Sequence, residues 1–252
     1  MCLILFAYRV HPEYPLIVAA NRDEYLDRPT EPAHFWKNPP DLLAGRDRVK
    51  GGTWMGITRG GQFAALTNYR NPSASLKNKK SRGLLVRDYL TGKLPPRKYL
   101  EELADHRASF PGFNLLVGNL RELWYYSNQT GALCPVEPGI HGLSNALLDT
   151  PWPKVIKGKK RLKAILQNPD PSSLFELLAD EEQAPDEKLP DTGVGLERER
   201  LLSPIFIRMT GYGTRASTVL IVDTKGEVNF IERTFAGKRT TEVSYRFTIG
   251  EG

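Results

Sequence analysis

Apolar positions in this chain fall into short runs broken by Gly, Pro and Asn, with few long helical stripes. Cys2–Tyr8 and Leu16–Ala20 are apolar and flank His11-Pro12-Glu13-Tyr14-Pro15. Two short apolar runs around a turn predict an N-terminal hairpin. Thr53–Thr58 and Gln62–Thr67 flank Arg59-Gly60-Gly61 and predict a second. Further strands are predicted at Phe113–Val117, Glu122–Tyr126 and Ile140–Ser144. Thr218–Val222 and Glu227–Glu232 flank Asp223-Thr224-Lys225-Gly226, a third hairpin, and Thr241–Ile249 reads as the last strand.

Helical spacing is confined to four segments. Ser81–Leu90 carries Leu84, Leu85, Tyr89 and Leu90, and Lys98–Ala108 sets Leu100 and Leu103 on one face. Pro153–Leu166 and Ser172–Asp180 are the others, with Ser172 or Ser173 as the expected N-cap of the last. From about 180 to 200 the chain is acidic, then Pro/Gly-bearing, then charged, and reads as a long surface loop. Many strands with two groups of helices predict a layered α+β architecture, helices outside packed sheets, in a single domain over 1–252.

Composition narrows the function classes. The chain has 252 residues and a net charge of +6. Its apolar runs are far below the roughly 18 residues that span a bilayer, so no membrane span is expected. The apolar N-terminal run has no basic segment before it and is broken by Arg9, His11 and Pro12, unlike a signal peptide. Two cysteines, Cys2 and Cys134, make no disulfide framework, and a reducing, cytoplasmic location is expected. The four histidines show no metal-ligand spacing. Basic clusters at 77–82 and 154–163 read as solvated faces, since no nucleic-acid module accompanies them. Gly211-Tyr212-Gly213-Thr214-Arg215-Ala216 has the glycine spacing of a dinucleotide fingerprint, but a β-branched run follows where a helix is required.

Met1-Cys2 is the sharpest chemical feature. Removal of Met1 before so small a residue would leave a thiol and a free α-amine on one residue. The amine, with a reference pKa of about 7.7–8.0, can take the thiol proton, so that nucleophile and base share Cys2. The competing reading is a small apolar residue opening a buried strand. Asn21-Arg22-Asp23-Glu24 follows the second apolar run, and a hairpin would set it beside Cys2; a charged turn with a local ion pair is the alternative. Asn68 and Asn145 each follow a strand-like run and are candidate oxyanion donors, or turn residues. Arg215 follows Gly211-Tyr212-Gly213-Thr214 and carries the same ambiguity.

Taken together, these motifs carry a resemblance. Met1-Cys2, Ala20-Asn21-Arg22-Asp23-Glu24, Gly51-Gly52-Thr53-Trp54, Ala65-Leu66-Thr67-Asn68, Gly112-Phe113-Asn114-Leu115, Gly142-Leu143-Ser144-Asn145-Ala146, Pro151-Trp152 and Gly211-Tyr212-Gly213-Thr214-Arg215 occur in order. The chain resembles the NRDE family, also called the transport-and-Golgi-organisation protein 2 family, from its first residue to about Phe247. The resemblance implies a four-layer αββα sandwich of the N-terminal-nucleophile hydrolase type, similar to the choloylglycine-hydrolase and penicillin-acylase branch. It implies Cys2 as nucleophile and Asp23 as the carboxylate that engages its amine. It also implies Asn68 and Asn145 at the oxyanion hole, Arg215 as a late supporting arginine, and Asn21 and Arg22 as positioning groups. The branch has Arg just before the motif Asn, where this chain has Ala20. The implied activity is acyl transfer from an amide, ester or thioester of a small molecule to Cys2, with no metal or organic cofactor. Eukaryotic members are linked to secretory organisation, lipid metabolism and haem trafficking. A non-catalytic carrier of haem or a lipid-like acyl ligand is therefore the alternative.

Overall fold

The computed structural model of the chain describes residues 2–237 and 239–250. Met1, whose removal the N-terminal-nucleophile scheme requires, lies outside the described residues. Six strands open the chain: β1 (Cys2–Tyr8), β2 (Leu16–Tyr25), β3 (Thr30–Phe35), β4 (Leu42–Asp47), β5 (Met55–Thr58) and β6 (Phe63–Asn68). Helices α1 (Gly83–Thr91) and α2 (Pro96–Asp105) lead to β7 (Phe113–Gly118), β8 (Leu123–Ser127), β9 (Leu133–Pro135) and β10 (Gly139–Leu143). Then come α3 (Pro153–Ile165), α4 (Pro171–Leu178) and α5 (Leu196–Leu202). Strands β11 (Arg208–Met209), β12 (Tyr212–Val222), β13 (Glu227–Ala236) and β14 (Arg239–Thr248) complete the order.

The strands form two antiparallel sheets. One runs β10-β1-β2-β12-β13-β14, with β11 on β12, and the other runs β3 to β9 in chain order. Side chains alternate across each strand, and the alternation sorts the core into three layers. Ile4, Phe6, Val18, Leu220 and Phe230 of the first sheet meet Leu43, Ile57, Ala65 and Leu116 of the second. Leu3, Leu5, Ile17 and Val219 face the other way, against Val155 and Leu162 of α3 and Leu174 and Leu178 of α4. The far face of the second sheet packs Leu42, Leu66 and Leu115 against Leu85 and Tyr89 of α1 and Leu100 of α2. The result is helix, sheet, sheet, helix, the αββα sandwich that the resemblance implies.

Several local expectations are corrected. Strand β2 does not stop at Ala20. It runs through the whole Asn-Arg-Asp-Glu motif, because β12 pairs with it as far as Tyr25. β3 escaped the pattern reading because an edge strand tolerates Pro32 and polar residues. The N-cap of α4 is Asp170, whose carboxylate accepts from the Ser173 amide at 3.0 Å. Pro171 occupies the first helical position, where a missing N–H costs nothing. The expected loop at 180–200 ends in α5, whose buried residues are Glu199 and Leu202. Among the described residues no helix is long and apolar enough to cross a membrane.

Candidate active site

The register of β1 on β2 builds the site. Cys2 pairs with Arg22. Paired residues in an antiparallel ladder project to the same face, so thiol and guanidinium stand side by side. The next residue, Asp23, lies one step beyond the paired end of β1. That places it beside the Cys2 backbone nitrogen, where an α-amine would sit. Both residues line a cleft of about 550 Å³ between the sheet ends. A larger hollow of about 760 Å³ lies behind Thr214 and Ser217 and is lined by Phe175 and Phe206. Neither cysteine lines it, so volume alone does not mark the site.

The polar groups around Cys2 are held by the fold. Asp23 is buried, and its Oδ1 accepts from the Thr214 hydroxyl at 2.7 Å. The Tyr212 hydroxyl donates to the Asp23 carbonyl at 3.2 Å. Burial pushes the Asp23 carboxyl up, and the nearby Lys154 ammonium pulls the other way. Lys154 is itself buried at the start of α3 and donates to the Leu202 carbonyl at 2.9 Å. Burial brings its pKa down to about 8. Burial also pushes the Cys2 thiol up, with the Asp23 charge adding to the rise. Arg22 and the Asp23 backbone N–H favour the thiolate. Burial is the largest of these influences and favours the neutral thiol at Cys2.

Arg22 is fixed from both sides. Its guanidinium lies 4.5 Å from the Trp54 ring centroid and 3.7 Å from Glu24. The rim of the Trp54 indole in turn packs against Gly45, where an added Cβ would stand 2.1 Å from it. In the same Gly-Gly-Thr-Trp segment, Gly52 packs on the backbone of Gly83, and a Cβ at Gly52 would come within 2.4 Å of the Gly83 carbonyl carbon. This contact seats the N-terminus of α1 against the cleft and puts Arg82 in its wall.

The structure sorts the remaining expected site residues. Asn68, at the end of β6, lines the same cleft as Cys2. Asn145 does not line it; its amide donates to the Asn68 carbonyl at 2.9 Å. Asn21 points to the helix side, since it alternates with Arg22. Its amide donates to the carbonyls of Leu178 and Ile205 at 2.8 and 2.9 Å, and its oxygen accepts from Ser217 at 2.6 Å. It ties β2 to the end of α4 and is not a group of the cleft. Arg215 is the residue skipped where the β2–β12 register shifts between Thr214 and Ala216. Its guanidinium donates to the carbonyls of Tyr25 and Arg28 and closes the turn after β2, outside the Cys2 cleft.

Other residues escaped the sequence reading. Arg70, two positions after Asn68, forms a buried ion pair with Glu199 at 2.6 Å and stacks 4.8 Å from the Trp152 ring. Glu199 also accepts from the Thr192 amide at 2.9 Å. This pair anchors α5 to the end of β6. Lys154 belonged to a basic run expected to be solvated, yet the helix points it inward. Glu232, on β13, is buried between the sheets and accepts from the Ala33 amide at 2.7 Å. Among the described residues no group of three or more His, Cys, Asp or Glu side chains is placed to hold a metal ion.

A family profile described as Transport and Golgi organisation 2 matches residues 1–237.

The chain belongs to the Transport and Golgi organisation 2 family.

The human homologue of that family protein is 37% identical, with 99% of each chain covered. The Drosophila melanogaster protein is 29% identical over 94% of this chain and 93% of its own. Among solved structures, a Caenorhabditis elegans orthologue of N-acylethanolamine-hydrolyzing acid amidase aligns with a TM-score of 0.50. It is 14% identical and covers 88% of this chain and 92% of its own. A mutant conjugated bile acid hydrolase from Clostridium perfringens gives a TM-score of 0.52 at 9% identity, over 98% and 97% of the two chains. At such identities the likeness shows the fold alone: this chain has an N-terminal-nucleophile hydrolase type of fold.

Proposed function

We propose that the protein is a hydrolase that cleaves an amide, ester or thioester of a small molecule by acyl transfer to Cys2. One observation carries this reading: the Cys2–Arg22 register puts the thiol, Asp23 and the wall residue Asn68 around one cleft. The two structural neighbours are named as an N-acylethanolamine-hydrolyzing acid amidase orthologue and a conjugated bile acid hydrolase, which supports a hydrolase reading.

Once Met1 is removed, the Cys2 α-amine takes the thiol proton. The thiolate attacks the carbonyl carbon, and the Asn68 amide faces the developing oxyanion. Collapse breaks the bond to the leaving group, which takes its proton from the α-ammonium and leaves a thioester on Cys2. Water, deprotonated by the α-amine, then attacks the thioester, releasing the carboxylic acid and the thiol. Asp23 stabilises the ammonium in both half-reactions. No step calls for a metal or an organic cofactor. Two thiols without a disulfide suit a reducing compartment such as the cytoplasm.

The test is turnover of a panel of N-acyl amides, esters and thioesters by the Met1-free protein. Release of the free acid, lost in Cys2→Ala, is the expected result. A second reading, a carrier for haem or a lipid-like ligand, is favoured by the position of Asn145, which leaves Asn68 as the sole one of the two expected amides in the cleft. Saturable ligand binding without turnover, unchanged in Asp23→Asn, would support it.

A further inference from the structure

The walls of the Cys2 cleft are unequal in charge. Six basic side chains line it (Arg22, Arg28, Lys50, Lys79, Lys80 and Arg82) against three carboxylates. The carboxylates are engaged. Asp47 pairs with Arg28 at 2.6 Å. Glu24 lies 3.7 Å from Arg22 and 3.9 Å from Arg28. Asp23 holds the Thr214 hydroxyl at 2.7 Å. Among the described residues, Lys50, Lys79, Lys80 and Arg82 take part in no ion pair. Arg82 hydrogen-bonds the Gly112 carbonyl at 2.9 Å, and Lys79 the Ala108 carbonyl at 2.6 Å. A carbonyl fixes such a group without neutralising it.

These four cations have a defined place. Lys79, Lys80 and Arg82 lie on the segment between β6 and α1, and Lys50 on the turn after β4. All four line the same opening as the thiol. The Arg82 guanidinium is close enough for the Cys2 charge to act on it. The apolar side chains Trp54, Leu66, Leu76 and Pro111 line the same cleft as the cations and the thiol. Leu76 is 66% exposed, a large apolar side chain turned to solvent at the cleft mouth.

We propose that the group cleaved at Cys2 belongs to a molecule bearing a carboxylate or phosphate, bound by Arg82, Lys80, Lys79 and Lys50 at the cleft mouth, with its apolar part on Trp54, Leu66 and Leu76. This rests on the reading of Cys2 as the nucleophile. Like-charged walls around a narrow opening concentrate counter-ions and raise encounter rates by about 10- to 10³-fold. The arrangement therefore selects anions before any chemistry occurs. It also orients them, because the anionic end stays among the exposed ammonium groups while the apolar body reaches the thiol.

The test compares iodoacetate with iodoacetamide on the full-length protein. Both displace iodide with a sulfur–carbon bond, and the thiol proton passes to solvent. They differ by one negative charge. Cys134, exposed on β9, is the internal reference. The iodoacetate-to-iodoacetamide rate ratio at Cys2 should exceed that at Cys134 by about tenfold at low salt. The excess should vanish near 1 M salt, where the screening length is about 3 Å. It should also shrink in the double variant Lys50→Gln/Lys80→Gln, which removes two of the four cations through changes on exposed side chains. Equal ratios at the two cysteines would overturn the anion site and leave Cys2 reactive. Labelling of Cys134 alone by both reagents would count against both readings.

Protection of Cys2 from iodoacetamide by inorganic phosphate or by acetate distinguishes the sources. Phosphate alone assigns a phosphate, acetate alone a carboxylate, and neither overturns the site.

Discussion

Asn145 donates its side-chain amide to the backbone carbonyl of Asn68 at 2.9 Å, and its own carbonyl accepts from the Arg70 amide at 2.7 Å. The two asparagines expected as equal oxyanion donors therefore stand in series. Asn68 faces the cleft, and Asn145 holds the end of β6 that carries it. Their substitutions should separate. Asn68→Ala should lower kcat by about 10²–10³ with little change in stability, the loss typical of one oxyanion donor. Asn145→Ala should cost roughly 1 kcal/mol of stability through the lost bond to the part-buried Asn68 carbonyl. Its kcat should fall less than that of Asn68→Ala at unchanged KM. Steady-state kinetics and thermal melts of both variants decide it, and the reverse order would make Asn145 the donor.

Asn21 makes three buried hydrogen bonds on the helix side of β2. Asn21→Ala should destabilise the chain by roughly 2–4 kcal/mol, since each unsatisfied buried group costs about 1–3 kcal/mol. Alkylation of Cys2 in the folded variant should proceed at the wild-type rate. Unchanged stability with slowed alkylation would return Asn21 to the reaction.

Asp23→Asn keeps an oxygen for the Thr214 hydroxyl and removes the charge beside the Cys2 nitrogen. Melting should shift little, while turnover drops by at least about 10²-fold, as loss of acid–base assistance commonly does. A large fall in stability with unchanged turnover would reduce Asp23 to a structural ion.

Glu232 supplies the pH dependence. Burial raises its pKa from 4.5 to about 7, against the opposing Ala33 amide, Thr218 hydroxyl and Arg22 charge. The folded form holds this proton more tightly than the unfolded chain. Its favourable contribution is complete below pH 4.5 and is lost as pH rises through about 7. Above that, the ionised buried carboxylate costs roughly 3 kcal/mol. Glu232→Gln should therefore melt higher than wild type at pH 8, by about 2–4 °C for each kcal/mol in a chain of this size. The two should converge near pH 4. A variant that melts lower at pH 8 would show that the carboxylate is stabilising where it lies.

Much of this layout is legible in the sequence, and the misses have causes. The hairpins are written in apolar runs and turn residues, so β1, β2, β5, β6 and β12–β14 are readable. The meeting of Cys2 with the Asn-Arg-Asp-Glu motif follows from the hairpin alone. What the sequence does not display is which face a polar residue takes once a strand runs longer than its apolar part. Asn21 and Arg22 look equivalent until β12 extends β2 past Ala20 and alternation sends them to opposite faces. Lys154 and Glu199 sit in runs of charge, and only packing shows that each is the inward member. The Arg70–Glu199 pair joins positions 129 apart, beyond any local pattern.

Cys2 can act as an N-terminal nucleophile only if its α-amine is free, and the mass of the N-terminal peptide tests this most directly. The mechanism predicts a purified chain that begins at Cys2 with a free α-amine. A chain that retains Met1 on every molecule would lack that amine, and it would contradict the mechanism.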